Sequence, residues 1–218
     1  MTKQETQIMK GVAIIMMLIL HLFGKSADGY ISMLHIGGEP IEYILRSAVN
    51  PVSFFLILSG YGMHFVCSEG KDKNKWKRVR KIYLHWWVAL AIFSSIGCLL
   101  GNSNYYTDFV SVIANYLGYV CNWNFEGWFM FPYILLMLVC PWIFKMTDKF
   151  RSIYVAIFVI FLGLCCGFIT SRYREILHWL VYNPIYTMVS LSPSFILGSI
   201  LHKEQIIGKV QEKNFKLG

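Results

Sequence analysis

Long stretches of apolar residues without a charge alternate along this chain with short basic stretches. The uncharged runs are 47–68, 82–107, 127–144, 152–171 and 176–201. Each is close to or above the roughly 18 to 20 residues that carry a helix across a bilayer. The pattern predicts five membrane-spanning helices. A sixth, 6–24, contains Lys10, whose long stem lets the ammonium reach the interface when the helix starts near the membrane surface. A cleaved leader shares the basic-then-apolar order, and Gly24-Lys25-Ser26 fits its cleavage site, but a leader core is normally apolar and this one carries His21. The run 109–125 is also uncharged. Inserting it as a seventh span would turn the basic stretch 145–151 outward, and its Asn115, Asn122, Trp123 and Asn124 suit an interface, so it is expected to be external or re-entrant.

Composition sharpens this picture. With 56% hydrophobic and 15% charged residues, the 218-residue chain is far from the balance of a water-soluble domain. Its mean hydropathy is +0.50. A net charge of +8 suggests nucleic acid in a soluble protein, but here the cations sit between the apolar runs, where they orient segments in the membrane. No nucleic-acid partner is expected. With the N-terminus cytoplasmic, sixteen of the twenty basic residues fall on that side, and only Lys25, Arg46, Arg172 and Arg174 face out. The expected fold is therefore an all-α, polytopic transmembrane bundle of about six spans. Residues 1–218 form one membrane-embedded domain with both termini cytoplasmic, in a bacterial-type inner membrane.

Several kinds of chemistry are missing. Cys67, Cys98, Cys121, Cys140, Cys165 and Cys166 lack metal-ligand spacing and lie mostly within spans, where a small apolar side chain is wanted. No metal site is expected. Nucleotide-binding glycine patterns, a GxSxG elbow and an HExxH pair are also absent. What remains are ionisable groups inside apolar runs, which are expensive there and point to function. Lys10 and His21 are eleven positions apart, about three helical turns, so one face carries both, about 16 Å apart along the axis.

The order of motifs adds to this. The segment KGVAIIMMLILHLFG, 10–24, resembles the opening of the acyltransferase-3 family of integral membrane acyltransferases: a basic residue, glycine, an apolar run, and histidine eleven positions after the basic residue. PVSFFLILSGYGMHF, 51–65, is similar to that family's double phenylalanine followed by Ser-Gly-aromatic, here Phe54, Phe55, Ser59, Gly60 and Tyr61. KWKRVRKIYLHWW, 75–87, resembles its basic cytoplasmic loop, with Lys81 and Leu84 where Arg-Ile-x-Pro has arginine and proline. GWFMFPYILLMLVCPWI, 127–143, resembles its Trp-aromatic helix with a proline thirteen residues after the tryptophan, here Trp128 and Pro141. Tyr133 stands where many members carry glutamate, and SFILGSIL, 194–201, looks like a later glycine-bearing helix. Members typically carry more spans, so the chain is expected to be shortened at its C-terminus.

The resemblance implies transfer of an acyl group, often acetyl, from a cytoplasmic acyl-CoA to a hydroxyl of an envelope glycan, with no bound cofactor. Residue chemistry fits this. Lys75, Lys77, Arg78, Arg80 and Lys81 suit the donor's phosphates, although a topology anchor or anionic lipid would use the same cluster. Arg78, Arg80 and Lys81 are expected to bind donor with Lys10. His21 is the expected general base, because imidazole takes a proton near neutral pH. His64 and His85 fall at cytoplasmic borders, His35 and His178 near outer loops, and His202 in the tail. Tyr105, Tyr106, Tyr116, Tyr119, Trp123 and Trp128 form an outer aromatic group that suits sugar rings or simply anchors the protein. Ser59, Tyr61, Trp123 and Trp128 are the expected acceptor-binding or pore-lining residues. Ser59 has no neighbouring base in sequence, so Ser59-Gly60 is read as allowing close helix packing. Two other readings stay open: a transporter or proton-coupled channel using Lys10 and His21, and an inactive shortened fragment.

Overall fold

The computed structural model describes residues 3–23, 34–41, 43–44, 50–70, 75–101, 103–105, 108–172 and 183–209. The leader-type site 24–26, Lys71, Lys73, Tyr106, His178 and the tail beyond 209 lie outside them. Seven helices organise the described residues: α1 Lys3–Phe23, α2 Pro51–Ser68, α3 Lys75–Leu99, α4 Phe109–Leu117, α5 Met130–Lys149, α6 Ser152–Arg172 and α7 Pro184–Lys203. All but α4 are long and apolar enough to cross a membrane. This is the polytopic helical architecture expected from the uncharged runs.

Three boundaries differ from expectation. Helix α3 begins at Lys75, so the basic stretch before residue 82 is helical. Beyond Leu99 the described chain leaves the helix and makes a 3-10 turn at Ser103–Tyr105, short of the predicted end at 107. Helix α5 starts after a 3-10 turn, Phe125–Phe129, and runs through Lys149, so the predicted basic loop 145–151 shrinks to two residues. Lysine is favoured in a last helical turn because its charge meets the negative end of the helix dipole. Charge alone had read these residues as loop.

Large apolar side chains stay uncovered along α1 and α6, including Ile14, Leu18, Leu22, Ile157, Phe161 and Leu164. Lipid is the solvent that suits them. A two-residue hairpin pairs His35 with Pro40 and Ile36 with Glu39. Gly37 and Gly38 both have positive φ, as a tight hairpin turn requires.

The chain divides into two compact units, with boundaries after His64 and before Ser194. In the first, α2 and α7 cross at glycines. A Cβ on Gly60 would collide with the Phe195 carbonyl, and one on Gly198 with the Ile57 carbonyl. The close packing expected of Ser59-Gly60 is thus present at Gly60. Leu56, Phe195 and Ser199 are fully buried there.

In the second unit two prolines sit inside helices, each removing an N–H and freeing the carbonyl four residues earlier. Both carbonyls regain a donor from the residue just before the proline. Cys140 Sγ donates to Met137 O at 3.2 Å beside Pro141, and Ser192 Oγ donates to Val189 O at 2.8 Å beside Pro193. Local satisfaction of this kind lets a proline persist in a membrane helix.

Candidate active site

Helix α1 is continuous from Lys3 to Phe23, so Lys10 and His21 do share one face. Ala13 is buried on that helix, while Lys10 and His21, roughly 60° to 80° round from it, are exposed. Glu5, in the first turn, lies within electrostatic range of Tyr61 on α2. His21 is sixteen residues from Glu5, about 24 Å away along α1.

Tyr61 and Ser59 are part-buried on α2. The Tyr61 ring meets His202 edge-on, with centroids 5.1 Å apart. Tyr61 thus stands at the Glu5 end of the unit, opposite His21. Beside it, His64 Nδ1 lies 2.7 Å from His202 Nδ1, and His64 is only 4% exposed. This pair links residues 138 positions apart and was not foreseen.

The other expected residues belong to the second unit. Lys75, Lys77, Arg78, Arg80 and Lys81 occupy the first two turns of α3, fanned around the helix, with Lys75 one turn before buried Val79. Cations at a helix N-terminus oppose the helix dipole, so the start of α3 is strongly electropositive and draws anions. Its N–H groups and its side chains act in the same sense.

The stretch after α3 doubles back along it. The Tyr105 ring covers Gly97, Trp86 Nε1 donates to Asn115 O at 3.1 Å, Trp87 Nε1 to Tyr116 O at 2.9 Å, and Tyr83 OH to Leu117 O at 3.1 Å. From Gly97 to Tyr83 is about 21 Å of helix. With α3 as a span, a segment that folds back along it over this length has the geometry expected of a re-entrant one. A helix that ends in lipid must satisfy its last carbonyls. Here Ala114 O accepts from the N–H groups of Tyr119 and Val120, and α3 side chains serve the next three. Gly118, with φ +73°, closes the helix in the left-handed conformation.

The other end of α4 is capped by Asp108, which accepts from Val110 N at 3.1 Å, Ser111 N at 3.3 Å and Ser111 Oγ at 2.6 Å. These bonds, the Ser111 hydroxyl first, hold the Asp108 carboxyl below its ordinary range. It stays ionised at neutral pH. Phe109, Val110, Ile113 and Leu117 are exposed on one face of α4, while the polar Asn115 is fully buried on the other. A helix with its apolar face outward is built for lipid.

Asn115 organises the loop that follows. Its Nδ2 donates to Ser111 O at 2.9 Å, and its Oδ1 accepts from Trp123 N at 3.2 Å. Tyr105 OH donates to Trp123 O at 3.2 Å, and the rings of Tyr105 and Tyr116 approach Trp123 at 5.9 and 6.1 Å. Trp123 is 9% exposed, yet its indole N–H has no hydrogen-bond partner. Trp128, more open, meets Phe129 edge-on. Burial pushes the Cys121 thiol up to about 11, which makes it a poor nucleophile at neutral pH. Among the described residues no group of three or more metal-ligating side chains comes together.

Six apolar spans, one of them with a helix folded back along it, define a multi-pass membrane protein. The acyltransferase-domain model of the acyltransferase-3 family matches residues 5–215, nearly the whole chain. The chain belongs to that family, and it is a membrane acyltransferase. No curated protein and no solved structure matches it.

Proposed function

We propose that the protein moves an acyl group, acetyl in the simplest case, from a cytoplasmic acyl-CoA to a hydroxyl of an envelope glycan across a bacterial-type inner membrane. The observation that carries this reading is the unbroken α1 helix, which sets Lys10 and His21 on one face, within a chain of this family. The positive-inside rule puts Lys10 and the start of α3 on the cytoplasmic side and His21 toward the outer side. Arg78, Arg80 and Lys81 attract the donor's phosphates, and Lys10 adds a charge at the mouth.

His21 accepts the proton of the acceptor hydroxyl as its oxygen bonds the acyl carbon. The carbon–sulfur bond breaks, and the departing thiolate takes that proton. Trp123 and Trp128 offer aromatic faces to the acceptor. Ser59 and Tyr61 line the path between the two sides. Acyl-CoA is a co-substrate, and no resident cofactor is required.

The test is His21→Gln, which keeps approximate size and polarity but cannot take the proton. Transfer from acyl-CoA to envelope glycan, measured with purified protein in vesicles, should fall by about two to four orders of magnitude with donor binding retained. Near-normal transfer by this variant refutes His21 as the base.

A further inference from the structure

The first unit holds a second cluster of ionisable groups that acceptor deprotonation does not use. His64 and His202 meet through their Nδ1 atoms at 2.7 Å, with ring centroids 4.9 Å apart. At that distance one nitrogen carries the hydrogen and the other must offer its lone pair. A first added proton, placed on the donor ring's Nε2, keeps this bond and makes it charge-assisted. A second one has to sit on the accepting Nδ1. Two N–H groups then face each other and two cations share one contact.

We propose that the His64–His202 pair is a proton-operated clasp between α2 and α7, closed while the pair holds at most one extra proton and opened when both imidazoles are cationic. The structure is suited to this. Gly60 and Gly198 let the two helices touch at their backbones, one helical turn before His64 and His202 respectively. His64 is buried, so two cationic rings would face each other with little water between them. Three other ionisable groups belong to this end, besides the phenol of Tyr61: Glu5 on α1, Lys203 in the last turn of α7, and Glu204 just beyond it. The carboxylates moderate the repulsion, and Lys203 adds to it. The clasp stands at the Glu5 end of the unit, opposite His21. Acid on that side opens it.

The experiment reads structure, so it stands apart from the acyltransferase reading. Spin labels are placed at Gly62, where an added side chain meets nothing within 4 Å, and at exposed Gln205, in protein reconstituted in nanodiscs. Distances between them are measured at pH 8 and at pH 5. The wild-type pair should lengthen at pH 5, while His64→Gln and His202→Gln, each limited to one cationic ring, should stay at the short distance. In parallel, nitrogen-15 spectra of histidine-labelled wild-type protein should show the Nδ1 hydrogen bond at pH 8 and its loss at pH 5, which needs no variant. A wild-type distance that ignores pH, a hydrogen bond that survives at pH 5, or equal lengthening in both Gln variants overturns the clasp.

Discussion

Tyr83→Phe removes one oxygen atom and separates a re-entrant α4 from an external one. The Tyr83 hydroxyl donates to Leu117 O at 3.1 Å, where α4 ends beside the third turn of α3. If that end lies in the bilayer, no water replaces the lost donor. An unsatisfied buried carbonyl costs about 1 to 3 kcal/mol, and more in hydrocarbon. We expect a loss of about 2 kcal/mol or more, a factor of roughly thirty in the folding equilibrium. If α4 lay in the outer aqueous phase, water would take over the bond and the loss would stay below about 0.5 kcal/mol. Reversible unfolding in bicelles measures it. Tyr154→Phe, at an exposed phenol, is the control for loss of a hydroxyl alone. Equal stability of the two variants would refute the re-entrant reading.

Gly60→Ala forces the added methyl onto the Phe195 backbone and should destabilise by about 1 to 3 kcal/mol relative to Gly62→Ala, where the space is open. A thermal melt of both variants in detergent checks this. Replacing Arg78, Arg80 and Lys81 together with glutamine should raise the KM for acyl-CoA and flatten its salt dependence with little change in kcat. Unchanged donor kinetics would return the cluster to a purely topological role. In a background without native cysteines, Ser103→Cys should label from outside and Lys77→Cys should not, and the reverse pattern would sink the proposed orientation.

Most of the fold was legible because a membrane span is a local property, set by uninterrupted apolar length. Residues 152–171 were predicted as a span and α6 is Ser152–Arg172. Charge misplaced the ends of α3 and α5, since a lysine at a helix terminus and a lysine in a loop look alike in sequence. The hairpin at His35–Pro40 was missed, although Gly37-Gly38 between two extendable residues was its signal. Lys10 and His21 could be paired because both stand on one helix, where spacing alone fixes the face.

The same contrast separates the two polar constructions that sequence did not show. Tyr83, Trp86 and Trp87 fall at i, i+3 and i+4, one face of α3, and all three carry an N–H or O–H that a buried aromatic must place somewhere. Their number and spacing already announced a row of acceptors beside that face. The uncharged run 109–125, too polar for a span, was the segment able to supply them, so the end of α4 could have been docked from sequence by asking where three donors go. His64 and His202 offered no such count. Each sits singly near the end of its own helix, 138 residues apart, and the glycine contacts that let α2 and α7 touch bring their Nδ1 atoms to 2.7 Å. Donors at helical spacing can be inferred from one element, whereas a two-residue contact between distant helices depends on the crossing that small residues permit.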